Sequence, residues 1–591
     1  MAKTPRSEYP RPQFRRPTWT SLNGLWSFAV DPPAGADPDE RRASTGFDLP
    51  ILVPFPLESA LSGVHRTEFM PSVWYHRGVT VPEAWAGQRV LLHFGGVDYE
   101  CRAYLDGVPV GHHLGGSSSF TFDITGAVRF GHLQHLVVHA LDDVLSRRQP
   151  AGKQSGAPES YHVFYTRVTG IWQSVWLEPV PVRSLDDVRI AADAATGRLL
   201  LEPRFRDAAS TDRWAARLSL AGRETARFEG PAHAGAFAAL EPATTRLWTP
   251  DDPHLYDVQL ELRDRHGDVL DSVTSYAGLR SVTVAEGRVW LNGEPLYQRL
   301  VLDQGYYPDG VWTAPSDAAL RTDIEHAKRL GFNGARLHQK GFEERYHYWA
   351  DRLGFLTWAE SPSWGFDESD PEAARRFLDE WRELVLRDRN HPSIVAWTPL
   401  NESDPAVHPE AHARLTRDAT ALTHSLDATR PVNDASGWVH VCPDLWTVHC
   451  YEQDPGVFRA LLDRRAPDVY RNIPELEPEY AGQPYLVDEF GGIKWIPDEA
   501  HERPADWGYG DAPADEAAFF ARLEGLVEAL LDLPHVSGYC YTQLTDVEQE
   551  RNGLLNADRS PKFPPDRLRA IFERAPAWAD PAEPAPAEGA G

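Results

Sequence analysis

The stretch NHPSIVAWTPLNES, residues 390–403, decides how the larger part of this chain folds. An apolar run, Ile394-Val395-Ala396-Trp397, passes directly into the polar string Asn401-Glu402-Ser403. A short apolar run bounded by turn formers reads as a strand buried on both faces, the kind that builds a parallel sheet. A second string of the same design, PYLVDEFGG at 484–492, carries Tyr485-Leu486-Val487 into Asp488-Glu489. Each strand therefore ends on a glutamate, and in parallel barrels the chemistry sits at the C-terminal ends of the strands.

Working outward, strand candidates fall at 296–301, 334–338, 355–360, 394–401, 431–434, 445–449, 485–489 and 536–543. Amphipathic helices alternate with them. One starts at Ser316 or Asp317 as its cap, puts Leu320, Ile324 and Ala327 on one face and stops at Gly331. Another carries Phe377, Trp381, Leu384 and Val385 at helical spacing. Eight strands over residues 284–576 predict a C-terminal (β/α)8 TIM barrel, with the fifth candidate short and polar. Glu402 and Glu489 then follow the fourth and seventh strands, on one face of the barrel.

Residues 1–183 read as β throughout, in runs such as 73–81, 89–97, 101–111, 135–141 and 174–180, with Asp106-Gly107 as a hairpin turn. That pattern predicts a jelly-roll domain. Residues 184–283 continue in strands at 198–205, 216–220 and 256–264, which suits an immunoglobulin-like sandwich. The segment 577–591 is rich in Pro, Ala and Glu and is expected to be a disordered tail.

A chain of 591 residues with net charge −28 is poorly suited to nucleic acid or to an anionic membrane surface. Four cysteines without a C-x-x-C pair give neither a disulfide framework nor a zinc site. The N-terminus lacks an apolar signal core and no run is long enough to span a bilayer, so a cytoplasmic protein is expected. Twenty Trp suit sugar stacking but equally suit large β-rich cores.

Paired carboxyl groups at neighbouring strand ends are what glycosidic bond cleavage requires. The strings SLNGLWSFAVDP (21–32), TGIWQSVWLEPV (169–180), WTPDDPHLYDVQLEL (248–262), GFNGARLHQK (331–340), GFLTWAESP (354–362), NHPSIVAWTPLNES and DRSPK (558–562) resemble glycoside hydrolase family 2, the group of β-galactosidases, β-glucuronidases and β-mannosidases. The resemblance covers roughly residues 15–576. It implies Glu402 as general acid/base and Glu489 as nucleophile. It further implies that Asn401 binds the hydroxyl beside the anomeric carbon and that Arg336 keeps the nucleophile ionised. Tyr451 is placed to hydrogen-bond Glu489, while His338 and His449 line the sugar pocket or serve as buried core histidines. It implies no organic cofactor. Some members hold a structural divalent cation, for which this chain shows no ligand cluster. The expected partner is a glycoside or oligosaccharide, and a homo-oligomer is left open.

The chain departs from the family in three places. Asp303-Gln304-Gly305-Tyr306 stands where an Asn-Arg-His-Glu string is expected, and Asp303 is either a hydroxyl acceptor or a turn former. Tyr541 stands where a stacking Trp is expected, close to Gln543, with Trp364, Trp397 and Trp495 as other stacking candidates that core packing explains at least as well. Glu550-Arg551-Asn552-Gly553 stands where β-glucuronidases carry an Asn-x-Lys pair for the substrate carboxylate. A glutamate there disfavours an anionic sugar. The expectation is thus an exo-acting retaining hydrolase releasing a terminal neutral sugar, a β-D-galactopyranoside or β-D-galactofuranoside. The alternatives are an α-L-arabinofuranosidase, a β-glucuronidase, or a carbohydrate-binding protein without catalysis.

Overall fold

The computed structural model describes residues 4–31, 37–403, 405, 408–497 and 502–579. Its barrel is built on seven parallel strands, Gln298–Asp303, Gly334–Leu337, Leu356–Glu360, Ile394–Thr398, Trp446–Cys450, Tyr485–Gly491 and Val536–Thr542. The first and last pair with each other, Gln298 facing Gly538, so the sheet curls towards closure. The expected fifth strand, 431–434, forms isolated bridges instead: Trp397 with Val432 and Asn401 with Ser436. Pro431 has no N–H to give a ladder, and the side chains that follow take over the bonding. Thr447 donates through Oγ1 to Asn433 Oδ1 at 3.1 Å, and Gly437 N donates to Thr447 Oγ1 at 3.0 Å.

The helices form as their apolar spacing predicts. Asp317–Arg329 is capped by the Ser316 side chain, which accepts from Ala319 N, and buries Leu320, Ile324 and Ala327. Gly331 follows at φ +103°, a conformation that other residues rarely adopt. Pro371–Asp388 buries Phe377, Trp381, Leu384 and Val385. Val301, Val487 and Tyr541 pack outward into the helix-side core, whereas Leu300, Leu302, Leu486 and Cys540 fill the barrel interior.

Upstream lie two β-sandwiches. The first packs a six-stranded antiparallel sheet on a four-stranded one around Trp26, Phe28, Val73, Leu92 and Val138. Its Asp106-Gly107 turn has both φ angles positive, as a tight hairpin needs. The second packs sheets of three and four strands around Trp214, Leu218, Tyr256 and Leu260. This is the jelly-roll, immunoglobulin-like and barrel architecture expected from the sequence.

The long connection after strand Leu133–Leu141 leaves the first sandwich and lies on the barrel. Ala151 N donates to Trp364 O at 2.8 Å, Thr166 N to Glu548 Oε1 at 3.0 Å, and Gln549 Nε2 to His162 O at 2.7 Å. At the other terminus, residues 580–591 of the expected tail lie outside the described residues. Ala577–Ala579 forms a short 3-10 turn, and Trp578 packs 5.7 Å from the Tyr297 ring. All four cysteines are free. Among the described residues no helix is long and apolar enough to cross a membrane.

Candidate active site

The sheet is irregular where the site forms. The pairing register shifts between Val448 and His449, and again between Val487 and Phe490. A bulge places two residues against one, bends the strand and re-aims side chains. Here it lets consecutive Asp488 and Glu489 both face the cluster around Arg336 and His449, while Phe490 returns to the helix-side core. Glu402 sits four residues beyond Thr398, at φ +44°, with its N–H held by Ser436 O at 3.0 Å. A left-handed glutamate carries local strain, the kind that collects at functional positions.

Arg336 is fully buried and organises the cluster. Its Nε donates to Glu360 Oε2 at 2.7 Å and its Nη1 to Glu489 Oε1 at 2.8 Å. Its Nη2 faces His338 Nδ1 at 3.1 Å and donates to Asn401 Oδ1. The other oxygen of Glu489 accepts from Tyr451 Oη at 2.6 Å, and that phenol lies 3.0 Å from Thr542 Oγ1. The Tyr451 ring is stacked on Tyr509, centroids 3.4 Å apart. Burial alone would raise the Glu489 pKa, but the charges of His449 and Arg336 outweigh it and hold the carboxyl down to about 2.

Oxygens of Glu402 and Glu489 and a ring nitrogen of His449 all lie within 4.8 Å of one another. That separation is too short for an inverting pair, which needs roughly 6.5–9.5 Å, and suits a retaining one. His449 Nδ1 is 2.7 Å from Glu402 Oε1, and Nε2 is 3.4 Å from Asp488 Oδ1 and 3.5 Å from Glu489 Oε1. Burial would discharge the ring, yet Glu489 and Asp488 opposite it raise its pKa to about 10. A charged His449 donates through Nδ1 to Glu402 and through Nε2 to Ser436 Oγ at 3.1 Å, with its charge set against Asp488 and Glu489. This is also the one His/acid group with metal-like spacing among the described residues, and its oxygens are already committed to His449, Arg336 and Tyr451.

Asn401 Nδ2 is buried with no partner among the described residues, leaving a donor for a sugar hydroxyl. Trp364 is fixed beside it, its Nε1 donating to Asn401 O at 2.8 Å. His338 is buried, and its Nε2 also lacks a partner.

Tyr541, Trp495 and Glu550 are placed otherwise than expected, and the alternatives left open for Asp303 and Trp397 are decided. Asp303 is a turn former: Oδ1 accepts from Gly305 N at 2.8 Å and Oδ2 from Tyr346 Oη at 3.2 Å, on the helix side of the sheet. Tyr541 packs against Phe490 and Phe572, and its neighbour Thr542 is the residue that reaches the site. Trp495 packs against Phe519 and Phe563, and Trp397 against Trp381. Glu550 is buried and bonded on both oxygens, to Tyr165 Oη and to Asn552 Nδ2, and burial raises its pKa. The Nε of Arg551 pairs with Asp546 at 3.1 Å. Gln543 continues the chain of polar contacts, accepting from Gln304 Nε2 and donating to Asn552 Oδ1, both at 2.8 Å.

Sequence reasoning missed Glu360, Lys153 and Tyr165. Burial raises Glu360 to about 7 against the pull of Arg336. It ends a buried strand just as Glu402 and Glu489 do, so the same signal was present. Lys153 and Tyr165 arrive from the first sandwich on the connection over the barrel. Nothing local in their sequence marks them.

Two carboxyl groups at this spacing on a parallel barrel, one anchored as an anion, define a retaining glycoside hydrolase. The chain belongs to glycosyl hydrolase family 2: its family sugar-binding domain matches at residues 42–178, its family 2 domain at 186–280 and its family 2 TIM barrel domain at 282–491. Curated relatives include a β-galactosidase of Thermoanaerobacter pseudethanolicus, 28% identical over 61% of this chain. The chain spans only 48% of that enzyme's length. A β-glucuronidase of Paenibacillus borealis is 24% identical over 80% of this chain and 82% of its own length. The fold is shared with the Ruminococcus gnavus β-glucuronidase solved with D-glucuronic acid: TM-score 0.79, 20% identity, covering 97% of this chain and 100% of that one.

Proposed function

We propose that this protein is an exo-acting retaining hydrolase that removes a terminal β-linked uronic acid. The paired Glu402 and Glu489 carry the reaction type. Glu489, ionised and aimed by Arg336 and Tyr451, attacks the anomeric carbon. Glu402 gives its proton to the leaving oxygen, and an ester links the sugar to Glu489. Water then attacks the anomeric carbon with Glu402 as base, and the configuration is retained. Exo action is supported by the connection 150–169, which lies across one side of the C-terminal barrel face.

The choice of sugar departs from the sequence expectation. A charged Glu550 would repel an anionic sugar, but Glu550 is buried, doubly bonded and shifted towards its neutral form. The Paenibacillus borealis β-glucuronidase, matching four fifths of the chain, supports a uronide. A neutral galactoside is the second reading. It is supported by the Thermoanaerobacter relative and by the uncharged amide chain Gln304–Gln543–Asn552, which suits hydroxyl groups. A panel of 4-nitrophenyl β-D-glucuronide, β-D-galactopyranoside, β-D-galactofuranoside and α-L-arabinofuranoside decides between them. The glucuronide is expected to have the highest kcat/KM, and turnover of a neutral sugar alone overturns the uronide reading.

A further inference from the structure

Lys153 belongs to the first sandwich, and none of the site chemistry above uses it. Only 7% of the residue is exposed. Its ammonium lies 5.8 Å from the Tyr165 ring centroid and 5.5 Å from that of Trp364. Both rings are bonded to residues of the site region: Trp364 to the backbone of Asn401, and Tyr165 to Glu550. Two backbone contacts pin the lysine's own segment to the barrel. Ala151 N donates to Trp364 O at 2.8 Å, and Gly152 N to Pro362 O at 3.3 Å. The lysine charge is also felt at Glu489, Glu550 and His338. Among the described residues, however, no carboxylate comes within the 4.0 Å of an ion pair with it. The ammonium keeps access to solvent beside the two rings, so a carboxylate arriving there would meet an uncommitted donor and form a charge-assisted hydrogen bond.

We propose that Lys153 binds the carboxylate of the sugar in the pocket, so that the N-terminal domain, and not the barrel, supplies the positive charge that selects a uronide. This rests on the uronide reading above. The barrel position where the family's β-glucuronidases carry a lysine holds Asn552 here, and the neighbouring Arg551 is bound to Asp546. The selecting charge has moved to another domain, and the aromatic pair Trp364 and Tyr165 holds it beside the pocket.

The test compares 4-nitrophenyl β-D-glucuronide with its methyl ester, which has the same sugar without the charge. Wild-type protein is expected to prefer the acid in kcat/KM by on the order of 100-fold, the worth of one charge-assisted hydrogen bond. In Lys153→Met that preference should vanish, mainly through KM, while turnover of the ester changes by less than about fivefold. Lys153→Arg should keep at least about a tenth of the acid activity, and Lys153→Gln gives the same comparison where the methionine variant does not fold. If wild type cleaves the acid and folded Lys153→Met or Lys153→Gln still prefers it, the assignment of Lys153 is wrong and the uronide reading stands. If acid and ester fall together, Lys153 is structural. If wild type cleaves neutral glycosides and no glucuronide, both proposals fall.

Discussion

His449 touches both carboxylates of the reacting pair through opposite ring nitrogens, and this frames the residue-scale expectations. The Nδ1 proton of a charged His449 lies 2.7 Å from Glu402 Oε1 and can pass through that carboxyl to the leaving oxygen. His449→Ala should therefore slow turnover by roughly 10–100-fold for aryl glycosides with poor leaving groups and hardly at all for dinitrophenyl ones. A plot of rate against leaving-group pKa measures this; an equal loss at every leaving group shows that the histidine only packs. Glu489→Ala has a different signature, a loss on the order of 10⁴ or more whatever the leaving group, because no ester can form. Glu402 and Glu489 were legible in the sequence because each follows a buried apolar run, whereas Asn401, Arg336 and Tyr451 were marked by the family resemblance of the strings around them. Tyr541 was misread, and Asp303 proved to be the turn former of its two readings, for one shared reason. Side chains alternate faces along a strand, and a one-residue error in register moves the wrong one inward. Thr542 faces Tyr451, and Asp303 follows Val301 to the helix side.

At the scale of elements, the connection 150–169 does what no barrel loop does: it brings Lys153 and Tyr165 to the site. The bond from Tyr165 to Glu550 joins residues 385 positions apart, a separation at which local pattern carries no information. Gly152 is the hinge point of that docking. It has φ +59°, and a Cβ there would stand 2.2 Å from the carbonyl oxygen of Gln339. Gly152→Ala must therefore either distort the barrel loop or lift the connection, at a cost of about 1–3 kcal/mol. The expected outcome is a fall in kcat/KM of at least about tenfold, with faster hydrogen exchange across 150–169 and little change within the barrel strands. Unchanged kcat/KM in a folded variant shows that the connection does not shape the pocket. The fifth barrel position was the other weak reading. It was legible as polar, and the structure shows why polarity is tolerated: on the side of Trp446–Cys450 the Thr447 hydroxyl bonds the Asn433 side chain and the Gly437 N–H where a strand would pair backbone with backbone.

Across the whole molecule, the three domains are joined by buried charge as well as by apolar contact. Arg16 donates to Glu178 at 3.0 Å and to Asp271 at 2.9 Å, linking the two sandwiches, and Arg6 reaches Glu343 of the barrel at 2.6 Å. The junction between the first sandwich and the barrel also contains Glu380. It accepts from Ser117 N at 2.7 Å and, through burial, is pushed up to about 8. Glu58, within the first sandwich, is likewise pushed to about 8 by burial. In an unfolded chain both would ionise near pH 4.5. The folded protein therefore holds protons that the unfolded chain releases. Stability must fall as pH climbs from 4.5 to about 8 and level off for these groups above it. Neutralising Glu380 should remove its share of that slope. Glu380→Gln keeps an acceptor for Ser117 N and cannot ionise. It is expected to match wild type near pH 5 and to exceed it near pH 9, by on the order of a few kcal/mol. Thermal melts across pH 4.5–9, with hydrogen exchange at 115–118 as a local readout, measure this. A variant whose stability differs from wild type by the same amount at both ends of the range would show that Glu380 is ionised in the folded protein, and that the junction is held by an anion rather than by a buried acid.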